Sequence, residues 1–82
     1  MRIPSIHLNG TSQKELFGGY LEAARAVRAA IEAVQATGPN GRDYYPQGGD
    51  ALHDAIAEHA SRVQKLRSVL SELETIAEAI VP

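Results

Sequence analysis

The chain has 82 residues, about half of an average domain, so we expect one small domain at most. It contains no cysteine, which excludes disulfide bonds and thiolate metal sites, and we expect a reducing cytoplasm. Ten acidic residues against eight Lys and Arg give a net charge of −2, which argues against a general nucleic-acid binder. The sequence shows neither a membrane-spanning apolar run nor a signal peptide, so a soluble protein is expected.

The first segment, residues 1–11, predicts a short extended arm. Ile3, Ile6 and Leu8 partly alternate with polar residues, and the turn pair Asn9-Gly10 closes the segment. A lone extended segment is not stable by itself, so we expect these apolar side chains to pack on a helix of the same chain or of a neighbouring one.

Two long helices are expected after the arm. The first spans residues 13–36, because Ser12 and Glu15 form a capping-box pattern and Thr37-Gly38-Pro39 offers a left-handed closing glycine. Residues 37–50 hold four Gly and two Pro and predict a loop. Asp50 is the expected cap of a second helix over residues 51–80, which contain neither Gly nor Pro. The predicted fold is an all-α antiparallel helical hairpin in a single domain.

Both helices carry an apolar stripe with heptad spacing, which predicts a shared seam. The stripe of the first helix is Phe17, Tyr20, Ala24, Val27, Ile31 and Val34, and that of the second is Leu52, Ile56, His59, Val63, Leu66, Leu70, Leu73, Ala77 and Ile80. A second stripe flanks each seam, with Ala23, Ala26, Ala30 and Ala33 on the first helix and Ala55, Val69 and Ile76 on the second. Because one hairpin cannot cover both stripes, we expect a homo-oligomeric helical bundle. Alternatively, the alanines serve only as good helix formers on a solvent face.

Basic residues are expected to collect at mid-height of the hairpin. If Ala36 faces Ala51, His59 lies level with Arg28 and Arg62 lies level with Arg25. Guanidinium groups hold phosphate or carboxylate, so this band predicts a site for a small anion. Alternatively, the arginines are ordinary solvated charges paired with Glu58 and Glu32, and His59 is a hydrogen-bonded core histidine.

In the same register the first helix begins level with residue 73, so it does not reach the last turns of the second helix. We therefore expect the arm to cover Leu73, Ile76 and Ile80. No metal-ligand spacing and no catalytic constellation is found, so we expect neither an enzyme nor a cofactor.

The loop is longer than a connection between two helices requires. Asn40 and Gly41 favour a tight turn with positive φ, from which Arg42, Tyr44 and Tyr45 project. Tyrosine rings and a guanidinium suit a nucleotide, because they stack on bases and neutralise phosphates. Alternatively, the tyrosines close the end of the core and Arg42 pairs with Asp43 or Asp54; one tyrosine can serve as a cap while the other is left for contact.

Two motifs carry a resemblance. The segments Ile6-His7-Leu8-Asn9-Gly10-Thr11-Ser12 and Pro39-Asn40-Gly41-Arg42-Asp43-Tyr44-Tyr45-Pro46-Gln47-Gly48, each followed by a helix, resemble those of a group of small, mostly uncharacterised proteins of tailed bacteriophages and prophages. That resemblance implies a phage accessory protein in the bacterial cytoplasm. In size and helical pairing the chain also looks like the phage anti-CBASS sponge proteins, helical oligomers that sequester cyclic oligonucleotide signals, although no binding residue is transferred by that likeness.

Two functional hypotheses follow. In the first, the oligomer sequesters a small anionic nucleotide, with Asn40, Arg42, Tyr44 and Tyr45 of the loop and Arg25, Arg28, His59 and Arg62 of the helices as ligand-binding residues. In the second, the hairpin is a protein-interaction module whose loop docks on a host or phage protein, since Tyr and Arg dominate interface hot spots. Neither hypothesis involves duplex nucleic acid or a membrane.

Overall fold

The computed structural model describes all 82 residues and contains helices but no strand. Helix α1 spans Gln13–Gln35, the short helix α2 spans Gly41–Tyr44, a 3-10 turn spans Tyr45–Gln47, and helix α3 spans Ala51–Ala79. The two long helices pack against each other in antiparallel orientation, so the molecule is a helical hairpin. Residues 1–12 lead into α1 as an irregular arm.

The ends of α1 are closed by local hydrogen bonds. Ser12 Oγ accepts from the Glu15 N–H at 3.2 Å, as the capping pattern predicts, but Glu15 does not bond back to Ser12. At the other end, Thr37 Oγ1 donates to the Val34 carbonyl at 2.7 Å and the Gly38 N–H donates to Gln35 at 3.1 Å. The expected left-handed closing conformation of Gly38 is wrong, because these bonds satisfy the last carbonyls with a right-handed backbone.

The chain reverses direction at Gly48 and Gly49, whose φ angles are +69° and +52°. These are the only residues with positive φ, so the turn predicted at Asn40-Gly41 is wrong. Asn40 instead has an extended backbone, with φ −123°, and caps α2. Asp50 precedes α3 but forms no side-chain capping bond, contrary to expectation. The loop therefore continues past α1 before it turns back.

This late reversal changes the register of the helices. Arg28 contacts Glu74 at 3.4 Å, and a Cβ built on Gly38 would lie 3.8 Å from His59 Nε2. The prediction that His59 lies level with Arg28 is therefore wrong by about three helical turns. The physical reason is that α2 lies against the start of α3, where a Cβ on Gly41 would lie 3.7 Å from Leu52.

The shifted register also removes the gap that the arm was expected to fill. Gln13 Nε2 donates to the Ile80 carbonyl at 3.1 Å, so α1 itself reaches the last turn of α3. The arm leaves Ile3, Ile6 and Leu8 exposed at 40%, 44% and 99%.

The helices meet largely along the predicted seam. All six seam residues of α1 are buried or half-buried. On α3 the seam holds from His59 to Ile80, but Ile56 is 51% exposed while its neighbour Ala55 is buried. The buried stripe shifts by one residue there because α2 and the 3-10 turn, rather than α1, cover the start of α3.

The core is thin for a chain of this size. Only six of the 82 residues are buried: Ala24, Ile31, Ala55, Ile76, Ala77 and Ile80. The molecule measures 61 × 20 × 17 Å, and its radius of gyration of 18.3 Å exceeds the value of about 12 Å for a compact domain of this length. Its accessible surface of 6046 Å² likewise exceeds the area of about 4,800 Å² for a folded monomer of this mass. Much of the seam therefore remains in contact with water.

The reversal at Gly48 is testable by substitution. Its backbone, with φ +69° and ψ −178°, lies in a region that is essentially restricted to glycine. We expect Gly48→Ala to lower the free energy of unfolding by about 1–3 kcal/mol, measured by urea titration at fixed protein concentration. The control is Gly18→Ala within α1, where a Cβ meets nothing within 4 Å. The free energy of unfolding of that variant should rise by about 0.5–1 kcal/mol. Equal effects of the two substitutions would contradict this assignment of the turn.

Candidate functional site

The loop between the long helices is organised around Asn40. Its Oδ1 accepts from the Arg42 N–H at 2.9 Å and from Arg42 Nε at 3.4 Å. The side chain of Arg42 is therefore held by the cap residue of its own helix. The alternative pairing of Arg42 with Asp43 or Asp54 is not formed.

The two loop tyrosines have different surroundings. Tyr44 is half-buried, whereas Tyr45 is 81% exposed. Both line an open concavity of about 310 Å³, whose other walls are Gly41, Gly48, Gly49 and Leu52. This volume is at the small end of the range for small-molecule sites. The arrangement suits Tyr44 as a cap of the hairpin end and leaves the ring of Tyr45 exposed to solvent.

The helical basic residues are engaged separately along the hairpin. Arg25 Nε donates to Glu22 Oε2 on the preceding turn of α1 at 2.9 Å, with a second close contact between the same groups. This hydrogen bond, together with the attraction between the two opposite charges, lowers the pKa of Glu22 and raises the pKa of Arg25. Arg28 instead crosses to Glu74 on α3. Both pairs are largely exposed, so each contributes little to stability.

The predicted mid-height basic band does not form within one chain. His59 lies beside Gly38, while the Glu74 that Arg28 contacts is about 22 Å further along α3. Arg62 is exposed and forms no ion pair, so the alternative pairing of Arg62 with Glu58 is absent, as is that of Arg28 with Glu32. Of the eight predicted ligand residues, the structure brings together only those of the loop.

Sequence reasoning missed a groove at the open end of the hairpin, where α1 begins and α3 ends. We call it the open-end groove; its volume is about 390 Å³, and it is lined by Phe17, Leu21, Ala24, Arg28, Glu74, Ala77, Glu78 and Val81. Leu21 and Val81 are 48% and 56% exposed. The spacing of Phe17, Leu21 and Arg28 along one side of α1 was the available signal, but Leu21 lies outside the heptad seam.

The structure holds no cluster of three or more His, Cys, Asp or Glu side chains that could bind a metal ion. None of its helices combines the length and the apolar character needed to cross a bilayer. No protein-family model matches the chain, and comparisons with curated proteins and with solved structures gave no match either.

The different surroundings of the loop tyrosines predict different costs of truncation. Tyr44→Ala should lower the free energy of unfolding by about 1–2 kcal/mol, because it exposes the apolar end of the hairpin. Tyr45→Ala removes a ring that is 81% exposed, so its effect should stay within about 0.5 kcal/mol. Thermal and urea unfolding followed by circular dichroism measure both. A larger loss for Tyr45→Ala would contradict the assigned cap.

Proposed function

We propose that this protein is a non-catalytic, homo-oligomeric helical binding protein that acts by docking its exposed faces on protein partners. The observation that carries the proposal is the accessible surface of 6046 Å², about 1,200 Å² above that of a compact monomer of the same mass. A standard protein interface covers about 800 Å² on each partner, so the excess is sufficient for one.

The distribution of exposed apolar groups supports this proposal. Leu21 and Val69 lie on the two long helices and remain 48% and 44% exposed. Exposed aliphatic side chains on rigid helices favour docking, because their burial needs little ordering of the backbone. The loop adds Arg42 and the exposed Tyr45, the residue types that dominate interface hot spots. The resemblance to phage proteins suggests a host or phage protein in the bacterial cytoplasm as the docking partner.

Self-association is the first prediction of this proposal. The weight-average mass in sedimentation equilibrium should rise from that of one chain toward a multiple as the concentration increases. The thermal midpoint should rise with concentration in parallel, because association stabilises the folded chain by mass action. A single-chain mass and a constant midpoint at every concentration would contradict the proposal.

A second candidate function, sequestration of a small anionic nucleotide, is favoured by one observation. The exposed ring of Tyr45 lines the same glycine-walled concavity as Tyr44, and Arg42 lies within the short helix that borders it. Stacking on an aromatic ring stabilises each bound base by about 1–3 kcal/mol, and a guanidinium adds charge-assisted bonds to phosphate. In one chain Arg25, Arg28, His59 and Arg62 lie away from this concavity, so they would contribute only across an interface between chains.

Calorimetry with cyclic di- and trinucleotides and ADP-ribose isomers tests this second candidate. If one of them binds, Arg42→Ala and Tyr45→Ala should each weaken the affinity by about tenfold or more, from the lost phosphate contact and the lost stacking. Lys65→Ala is the matched control, since it removes one positive charge from α3 outside the loop. The absence of heat with every nucleotide, from a sample of confirmed oligomer, would exclude sequestration of these ligands and leave the docking function.

A further inference from the structure

The open end of the hairpin carries two apolar features that contacts within the chain cover only in part. One is the open-end groove, and the other is the arm of residues 1–12 that precedes α1. Gln13 Nε2 donates to the carbonyls of Ile80 and Val81 at 3.1 and 3.3 Å, so the base of the arm is held beside the end of α3. The arm and the groove therefore belong to the same end of the molecule.

The open-end groove has an apolar floor and an acidic edge. Phe17, Leu21 and Val81 supply much of its apolar lining, and the latter two are about half-exposed. On its polar side Arg28 is paired with Glu74, whereas Glu78 has no ion-pair partner. An occupant of complementary chemistry would present aliphatic side chains beside a positive charge.

The arm has that chemistry. Leu8 is 99% exposed, the largest exposed fraction among the large apolar side chains, and Ile6 is 44% exposed. Residues 1–12 include Arg2 and His7 but no acidic residue. Within one chain Leu8 is exposed to solvent and the groove beside the arm is open. The arm therefore does not occupy the groove of its own chain.

We propose that the open-end groove binds the arm of a second copy of this chain, with Leu8 inserted among Phe17, Leu21 and Val81. The proposal rests on the self-association proposed above and names the surface that carries it. The arm and the groove lie at the same end of the molecule. Two chains related by a two-fold axis at that end can therefore each place their arm in the groove of the other, which closes the assembly as a dimer. The excess surface of about 1,200 Å² over the whole chain is larger than the area of about 800 Å² that a standard interface covers on each partner.

The first test is the substitution Leu8→Asp, compared with Ile56→Asp. Leu8 makes almost no contact within the chain, so its substitution leaves the hairpin intact, which circular dichroism verifies. Leu8→Asp should raise the dimer dissociation constant in sedimentation equilibrium by about tenfold or more, because a buried leucine and a neutral contact beside Glu78 are both lost. Ile56→Asp changes an exposed residue in the half of α3 remote from the groove and should leave the constant within about twofold of wild type. Dissociation by Ile56→Asp alone would overturn the proposal.

The second test uses the absence of native cysteine. Chains that carry Leu8→Cys are mixed with chains that carry Leu21→Cys and are oxidised. A covalent heterodimer can form only between different chains, and we expect it in clear excess over a mixture of Leu8→Cys with Ile56→Cys. A wild type that stays a single chain contradicts self-association as a whole. An assembled wild type that tolerates Leu8→Asp and gives no heterodimer excess overturns the arm exchange alone.

Discussion

The place at which the chain reverses direction determines which residues of the two long helices meet. Gly48 and Gly49 take the left-handed side of the φ range, and the preceding residues continue past the end of α1 as α2 and a 3-10 turn. The part of the chain that runs alongside α3 is thereby lengthened beyond α1, and it covers the start of α3. The positions of His59 beside Gly38 and of Arg28 beside Glu74 both follow from this one constraint.

The same constraint gives the two ends of the molecule different structures. At the loop end, Asn40 orders Arg42 and the half-buried Tyr44 closes the hairpin, so that Tyr45 is presented on a fixed support. At the open end, the helices finish level with each other and leave an apolar groove beside an uncovered arm. Only six residues of the whole hairpin are buried, which is why so much apolar surface remains exposed.

The sequence predicted the helices well because their signals are local and repeated. Ser12 marks the start of α1, and the six seam residues of that helix all turn inward. The register could not be predicted, because it depends on which of four loop glycines adopts positive φ, and the pattern is compatible with several. Asn40 illustrates the ambiguity: asparagine before glycine suits a left-handed turn and a helix cap equally, and the structure uses the cap. The predicted basic band was wrong because it depended on the register of the two helices. The loop residues lie close together whatever the register, because they are adjacent in sequence.

One side chain links the first turn of α1 to the last residues of α3. The amide of Gln13 donates to the carbonyls of both Ile80 and Val81, groups that a helix end otherwise leaves to solvent. Fraying at the end of α3 breaks these bonds and frees the side chain of Gln13, so the last turn of α3 and the first turn of α1 are coupled through it.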